Sequence, residues 1–172
     1  MDSPKPFKIL FLCTGNSARS ILAEYIIKRT GRGRFESYSA GSNPKGSIHP
    51  MALRVLHELY RLDIADARSK SWSEFKGVEF DFVITLCDSA RESCPICPGQ
   101  PIIAHWASPD PAAHEGTEEE KHRFFTQVAL QIQRRLDLLC SLPFEKLSNL
   151  NLTDATKDIG QQEKMQTSVS SL

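Results

Sequence analysis

From Phe7 to Cys13 the chain reads Phe-Lys-Ile-Leu-Phe-Leu-Cys, a short, nearly continuous apolar run of the kind that forms a strand buried on both faces. A polar stretch follows. Ile21, Leu22, Tyr25 and Ile26 then recur at helical spacing as far as Thr30, where Gly31 and Gly33 supply a stop. Phe35 to Ala40 predicts a second strand, and Pro50, a favoured first-turn residue, opens a helix with Val55, Leu56 and Leu59 on its inner face. Phe80 to Leu86 predicts a third strand and Pro101 to Trp106 a fourth, with a cysteine-rich loop between them. Thr117 followed by Glu120 matches a capping box. Behind it Phe124, Phe125, Val128, Ile132, Leu136 and Leu139 form the apolar stripe of a long helix ending near Pro143. Strands alternating with helices imply an α/β domain: a central four-stranded parallel sheet with helices on both faces and working loops at the carboxyl ends of its strands. Past Asn151 the residues turn polar, so the pattern divides the chain into one domain over residues 1–150 and a frayed tail over 151–172.

Size and charge narrow the options. At 172 residues the chain has room for one domain with a full core, and 40% hydrophobic with 24% charged residues is a globular balance. Twenty-one Lys plus Arg against 21 Asp plus Glu give a net charge of zero, so no long-range field favours nucleic acid or an acidic membrane, and any anion site must be local. The first residues lack the pattern of a signal peptide and no apolar run reaches the ~18 residues of a membrane span, which points to a cytoplasmic protein. Five cysteines, at 13, 87, 94, 97 and 140, are a poor disulfide framework, and in a reducing compartment they point to catalysis or metal.

The first candidate site is Cys13-Thr14-Gly15-Asn16-Ser17-Ala18-Arg19-Ser20, between the first strand and the first helix. Cys-x5-Arg is a weak pattern by itself; its placement carries the argument. A loop there aims backbone N–H groups and the positive end of a helix at one point, a nest for a tetrahedral oxyanion, with Gly15 allowing the tight path. Arg19 can grip two anion oxygens with its planar fork, the same positive field favours the Cys13 thiolate, and Ser20 can hydrogen-bond that sulfur. The bland alternative is a small buried cysteine at a strand end and a surface arginine.

Phe11 to Ser20, with Ala23-Glu24 following, resembles the low-molecular-weight protein tyrosine phosphatase superfamily. The resemblance implies that Cys13 is the nucleophile, that Thr14, Gly15, Asn16, Ser17, Ala18, Arg19 and Ser20 bind the oxyanion, and that Asp110, in Asp110-Pro111, is the general acid. The second cluster is Cys87-Asp88-Ser89-Ala90-Arg91-Glu92-Ser93-Cys94-Pro95-Ile96-Cys97-Pro98. Together with His105-Trp106, Asp110-Pro111-Ala112 and Glu115-Gly116-Thr117, it is similar to the arsenate reductases built on the same fold, over roughly residues 7–142. That resemblance implies a relay. Cys13 attacks arsenate, Cys87 attacks the Cys13 sulfur, and Cys94 then attacks Cys87; Cys97 makes a Cys-x-x-Cys with Cys94, so the resolving thiol stays open between them. The two electrons come from the thiols, with thioredoxin, or glutathione with glutaredoxin, as external reductant and no bound cofactor. Thioredoxin-coupled relatives hold potassium with a loop Asn and a first-helix Glu; Asn16 and Glu24 match, but Arg68-Ser69-Lys70 brings positive charge to that neighbourhood, so no metal is assigned.

Two rival readings stand. A plain phosphatase fits the same loop, although many carry a second cysteine where this chain has Ala18. A zinc-binding or redox-sensing module can be drawn from Cys87, Cys94, Cys97 and His105. Cys140 on the last helix reads as a core residue. His49, His57, His114 and His122 read as structural or solvated, and Lys28, Arg29, Arg32 and Arg34 as a basic cluster suited to a helix C-terminus.

Overall fold

The computed structural model describes residues 4–62, 64–93 and 99–169. Four parallel strands, β1 (Phe7–Cys13), β2 (Phe35–Gly41), β3 (Phe82–Thr85) and β4 (Ile102–His105), lie in the order β2-β1-β3-β4. The helices are α1 (Arg19–Thr30), α2 (Pro50–Tyr60), α3 (Asp88–Ser93), α4 (Glu118–Cys140) and α5 (Asn149–Val169). Among the described residues no helix is long and apolar enough to cross a membrane.

β1 is central, with β2 on one side and β3 on the other, and the period-2 alternation of a strand explains why nearly every residue of it is apolar. Ile9, Phe11 and Cys13 point into the main core against α1, α2, α4 and α5, and Leu10 and Leu12 point into a smaller cluster with Phe80, Val83, Ala90, Trp72 and Phe75. The second face is covered by short pieces, α3 and a 3-10 turn at Trp72–Phe75. Because the chain moves from β1 to β2 on one side and later to β3 on the other, β1 and β3 flank the point where strand order reverses. Loops leaving their carboxyl ends diverge and open a crevice there.

Thr117 caps α4 by accepting from the Glu120 amide at 3.1 Å. The basic cluster at the end of α1 serves other helices. Arg29 donates to the carbonyl of Tyr60 at the end of α2, and Arg34 to that of Cys140 at the end of α4, each placing a cation at a negative helix terminus. His49 accepts from the Met51 amide through Nδ1 at 3.1 Å, capping α2, and lies against the Phe125 ring. His122 pairs with Glu58 at 2.9 Å, and His114 stacks on Phe124, so these three histidines have partners that lie far from them in sequence or in backbone atoms.

The largest departure from the sequence pattern is α5. The polar composition past Asn151 suggests a frayed tail, but the chain is helical from Asn149, and Leu152, Thr156, Ile159 and Gly160 are buried against β4. Trp106 Nε1 donates to the Thr156 carbonyl at 2.9 Å. A Cβ on Gly160 would lie 2.4 Å from the His105 carbonyl oxygen, so glycine is what lets this helix approach the strand. The buried stripe is narrow and built partly from Thr and Gly, which is why hydrophobicity along the sequence does not reveal it.

Candidate active site

The loop between β1 and α1 is shaped by where its carbonyls go. Those of Cys13, Thr14, Gly15 and Ser17 accept from the amides of Ser42 (3.2 Å), Asn43, Lys45 and His49 (2.9 Å each), all in the segment after β2. In a planar trans peptide the carbonyl and the following N–H point in opposite directions. The N–H groups of Thr14, Gly15, Asn16 and Ala18 are therefore turned toward the hollow of the loop. Ala18 holds the N-cap position of α1 and has no side-chain oxygen, so the first-turn amides of that helix face the same hollow without a side-chain cap. Gly41 makes this possible from β2: a Cβ there would sit 2.5 Å from the Thr14 carbonyl oxygen. The tight turn is made at Asn16, whose φ is +44°, and not at Gly15 as the composition of the loop suggests. Asparagine is among the few residues that tolerate this left-handed conformation.

Asn16 is fully buried and its carboxamide orders what lies beneath Cys13. Its Oδ1 accepts from the Lys70 amide at 2.9 Å, while Nδ2 donates to Ser20 Oγ at 2.8 Å and to Ser39 Oγ at 3.0 Å. A hydroxyl has a single hydrogen, so each serine must send it elsewhere. Ser39 donates to Glu24 Oε2 at 3.0 Å, and Ser20 is left with Cys13 Sγ at 2.9 Å, which it supplies with a hydrogen bond suited to a thiolate. Lys70 Nζ donates to Ser39 Oγ at 3.4 Å and to the Arg68 carbonyl at 3.1 Å. Burial pushes the Glu24 carboxyl above its usual 4.5, with Lys70 and the Ser39 hydroxyl pulling the other way. Burial likewise lowers the Lys70 ammonium from 10.5, opposed by Glu24.

Above the loop, Thr14, Arg19, Asn43, Lys45, Cys87 and Asp110 line a cleft of about 430 Å³, within the range of small-molecule sites. Arg19 Nη1 donates to the Ser108 carbonyl at 3.1 Å, and its Nη2 lies 3.7 Å from Asp110 Oδ2. Asp110 is 41% exposed and accepts from the Ala112 amide through Oδ1 at 3.0 Å, which keeps its carboxyl over the cleft at the start of a 3-10 turn. Arg135, buried on α4, donates to the Ala107 carbonyl and to Ser108 Oγ, so the loop that carries Asp110 is held from both sides. Cys87 comes after Leu86 at the carboxyl end of β3, across the crevice from the Cys13 loop, and its Sγ lies 3.3 Å from Thr14 Oγ1 and accepts from the Ala90 amide at 3.4 Å. Cys13, Cys87 and Cys140 are free thiols. Burial pushes the Cys140 thiol up, away from reactivity.

Cys94 and Cys97 lie outside the described residues, as do Pro95, Ile96 and Pro98. Among the described residues no three His, Cys, Asp or Glu side chains cluster as a metal site, and His105 has both ring nitrogens engaged, by Thr85 Oγ1 at 2.7 Å and Asp88 Oδ1 at 2.9 Å. Sequence reasoning missed Ser39, Asn43, Lys45 and the site role of Lys70. Asn43 and Lys45 follow the carboxyl end of β2, the edge where parallel sheets place their sites, and that placement is the signal that could have found them.

A doubly wound parallel sheet with a thiol and an arginine in an amide-lined loop at its switch point defines a class of site: one suited to holding a tetrahedral oxyanion beside a cysteine. The family is settled by comparison. The family model described as low molecular weight phosphotyrosine protein phosphatase matches residues 8–149, and the chain belongs to that family. It is 39% identical over 128 residues to a protein of Bacillus subtilis named arsenate reductase, a match covering 74% of this chain and 91% of that one. A solved structure described as an arsenate reductase in the phosphate binding state superposes with a TM-score of 0.62 at 26% identity, covering 78% of this chain and 97% of that one. A thioredoxin-dependent arsenate reductase of Corynebacterium glutamicum superposes with a TM-score of 0.55 at 28% identity, over 80% of this chain and 65% of that one.

Proposed function

We propose that this chain is an arsenate reductase that draws its two electrons from its own thiols. The reading is carried by Cys87: a second free thiol on the opposite side of the switch-point crevice, in the same cleft as Cys13 and touching its neighbour Thr14. A phosphatase needs one thiol there; a reductase needs two. The names of the relatives support the same choice.

Arsenate is held by the loop amides and the fork of Arg19. The Cys13 thiolate attacks arsenic, and Asp110 protonates the departing oxygen, which leaves as water, giving a sulfur–arsenic bond. The Cys87 thiolate then attacks the Cys13 sulfur. A disulfide forms, the sulfur–arsenic bond breaks with its electron pair going to arsenic, and arsenite leaves; arsenic has gained the two electrons that the two thiolates gave up. Cys94, or Cys97 in its place, attacks Cys87, frees Cys13 and passes the disulfide to an external dithiol, thioredoxin or glutathione with glutaredoxin, the reductants of a cytoplasmic enzyme.

Turnover of arsenate by the purified protein, with the two reducing systems side by side, tests the activity. Cys13→Ser should abolish arsenite formation and aryl phosphate hydrolysis together. Cys87→Ser should keep aryl phosphate hydrolysis and stop arsenate at the covalent adduct; full arsenate turnover by Cys87→Ser without a small thiol would remove the relay. Cys94→Ser should release one arsenite per enzyme and accumulate a Cys13–Cys87 disulfide visible by peptide mass mapping, and multiple turnover by that variant would give the resolving role to Cys97 or to a small thiol.

A further inference from the structure

Beneath Cys13, a hydrogen-bonded chain runs from Lys70 and Glu24 through Ser39, Asn16 and Ser20 to the sulfur, and its two charged members are nearly inaccessible to water, at 9% and 7% exposure. Its direction is set at Asn16 by the Lys70 amide, and its far end, at Ser39, depends on Glu24 being ionised. A charged carboxylate only accepts, so Ser39 must spend its hydrogen on Glu24 and offer its lone pairs to Asn16 Nδ2 and Lys70 Nζ. The Lys70 amide, donating to Oδ1, sets which way the Asn16 carboxamide faces, Ser39 anchors its Nδ2 side, and Ser20, accepting from Asn16, has its hydrogen aimed at Cys13. A protonated Glu24 could donate to Ser39 and turn the Ser39 hydrogen toward the Asn16 amide hydrogens, and the carboxamide would lose its anchor at Nδ2 while the Lys70 amide still held Oδ1. A carboxylate so far from water stays ionised only beside a positive charge. Arg68 is tied to Glu74 at 2.6 Å on the surface, and Lys28, Asp66 and Glu74 act on the pair from farther out. The cation in place is the ammonium of Lys70.

This is also the place where the resemblance to thioredoxin-coupled relatives would put potassium, and the residues present do not fit it. The Ser39 hydroxyl and the Arg68 carbonyl, oxygens that a bound cation would need, accept from Lys70 Nζ, and a second positive charge beside the ammonium would be repelled. We propose that Lys70 is a positioning residue that serves as a tethered cation: it holds Ser39 and Glu24 in the arrangement that steadies the Asn16 carboxamide, and through it the Ser20 hydrogen bond to Cys13, making the enzyme independent of monovalent cations. The segment is built for the task, since Ser69 Oγ donates to the Gly15 carbonyl and the Lys70 amide to Asn16, strapping residues 69 and 70 to the underside of the loop. The proposal rests on Cys13 being the reactive thiol and not on which oxyanion it attacks.

The test uses the full chain, with iodoacetamide alkylation of Cys13 across a pH series and aryl phosphate hydrolysis, each in potassium chloride and in tetramethylammonium chloride at equal ionic strength. The wild type should behave identically in both salts. Lys70→Ala should lose about tenfold in kcat, the usual cost of removing a group that supports a catalytic residue, with the midpoint of Cys13 alkylation moved to higher pH. Potassium, but not tetramethylammonium, should restore part of both. Lys70→Met, which keeps the length of the side chain and fills the space, should show the loss without the rescue. A wild type that needs potassium would overturn the proposal without any variant. So would an unmoved alkylation profile in both variants, or a loss in Lys70→Ala that is the same in the two salts. A wild type whose Cys13 is alkylated no faster than Cys140 would overturn the reading of the loop itself and Lys70's role with it.

Discussion

Arg19 and Asp110 sit side by side at the mouth of the cleft, and the different roles we propose for them can be separated by single substitutions. Arg19 begins α1, is anchored at Nη1 by the Ser108 carbonyl, places Nη2 3.7 Å from Asp110 and lines the cleft above the loop. Lysine would keep the charge and lose the fork. Arg19→Lys is expected to lower kcat/KM on the order of 100-fold, the usual cost of deleting one donor to a developing oxyanion, and to weaken inhibition by phosphate; phosphate inhibition constants measured beside the kinetics check this. Asp110 is assigned a proton and not a binding contact. Asp110→Asn should slow kcat by about 10² to 10⁴, leave phosphate inhibition nearly unchanged, and keep the Ala112 cap because asparagine also offers an oxygen. Loss of phosphate inhibition in Asp110→Asn would make the residue structural.

Among the elements, α2 carries a pH-dependent contact. The His49 cap needs a neutral ring, because Nδ1 must accept from the Met51 amide, and burial, aided by Lys45 and Lys121 and opposed by Asp110 and Glu118, holds the imidazole below its usual 6.5. The unfolded chain therefore takes up this proton before the folded one does. The stabilisation is complete above about pH 6.5 and drains away as pH falls from there toward the lower folded value. His49→Asn keeps a capping oxygen and should flatten the stability curve as pH falls below about 6.5, as read by urea unfolding at several pH values. For α5 the vulnerable point is Gly160. Gly160→Ala places a methyl against the His105 carbonyl and should cost about 1–3 kcal/mol, with Trp106 fluorescence reporting the loosened helix. Elements whose stability rests on strong apolar periodicity, such as β1, α1 and α4, are legible in the sequence. α5 is not, because its contact is a close backbone approach and a hydrogen bond to a main-chain carbonyl, and neither requires an apolar letter.

Taken as a whole, the molecule uses the reversal of strand order to bring residues from 13, 43, 87 and 110 to one crevice. That much of the site is readable from the order of strands and helices, since each of these residues lies at or just past the carboxyl end of a strand. The layer beneath it is not. Ser39 lies within a strand, and Lys70 lies in a stretch without regular structure; what joins them to Cys13 is a set of hydrogen bonds across 23 to 54 positions of sequence, for which a single sequence holds no pattern. The outward-turned carbonyls of the Cys13 loop have a further consequence in mass action. The inward amides wait for an anion in the folded state and are scattered in the unfolded one, so any oxyanion that fits is a ligand of the native protein alone. Phosphate at 100 times its dissociation constant should add about 2.7 kcal/mol to stability. The same phosphate would hide arsenate binding in an ordinary buffer, and a protein purified in phosphate should look more heat-stable and less active than the same chain exchanged into a zwitterionic one.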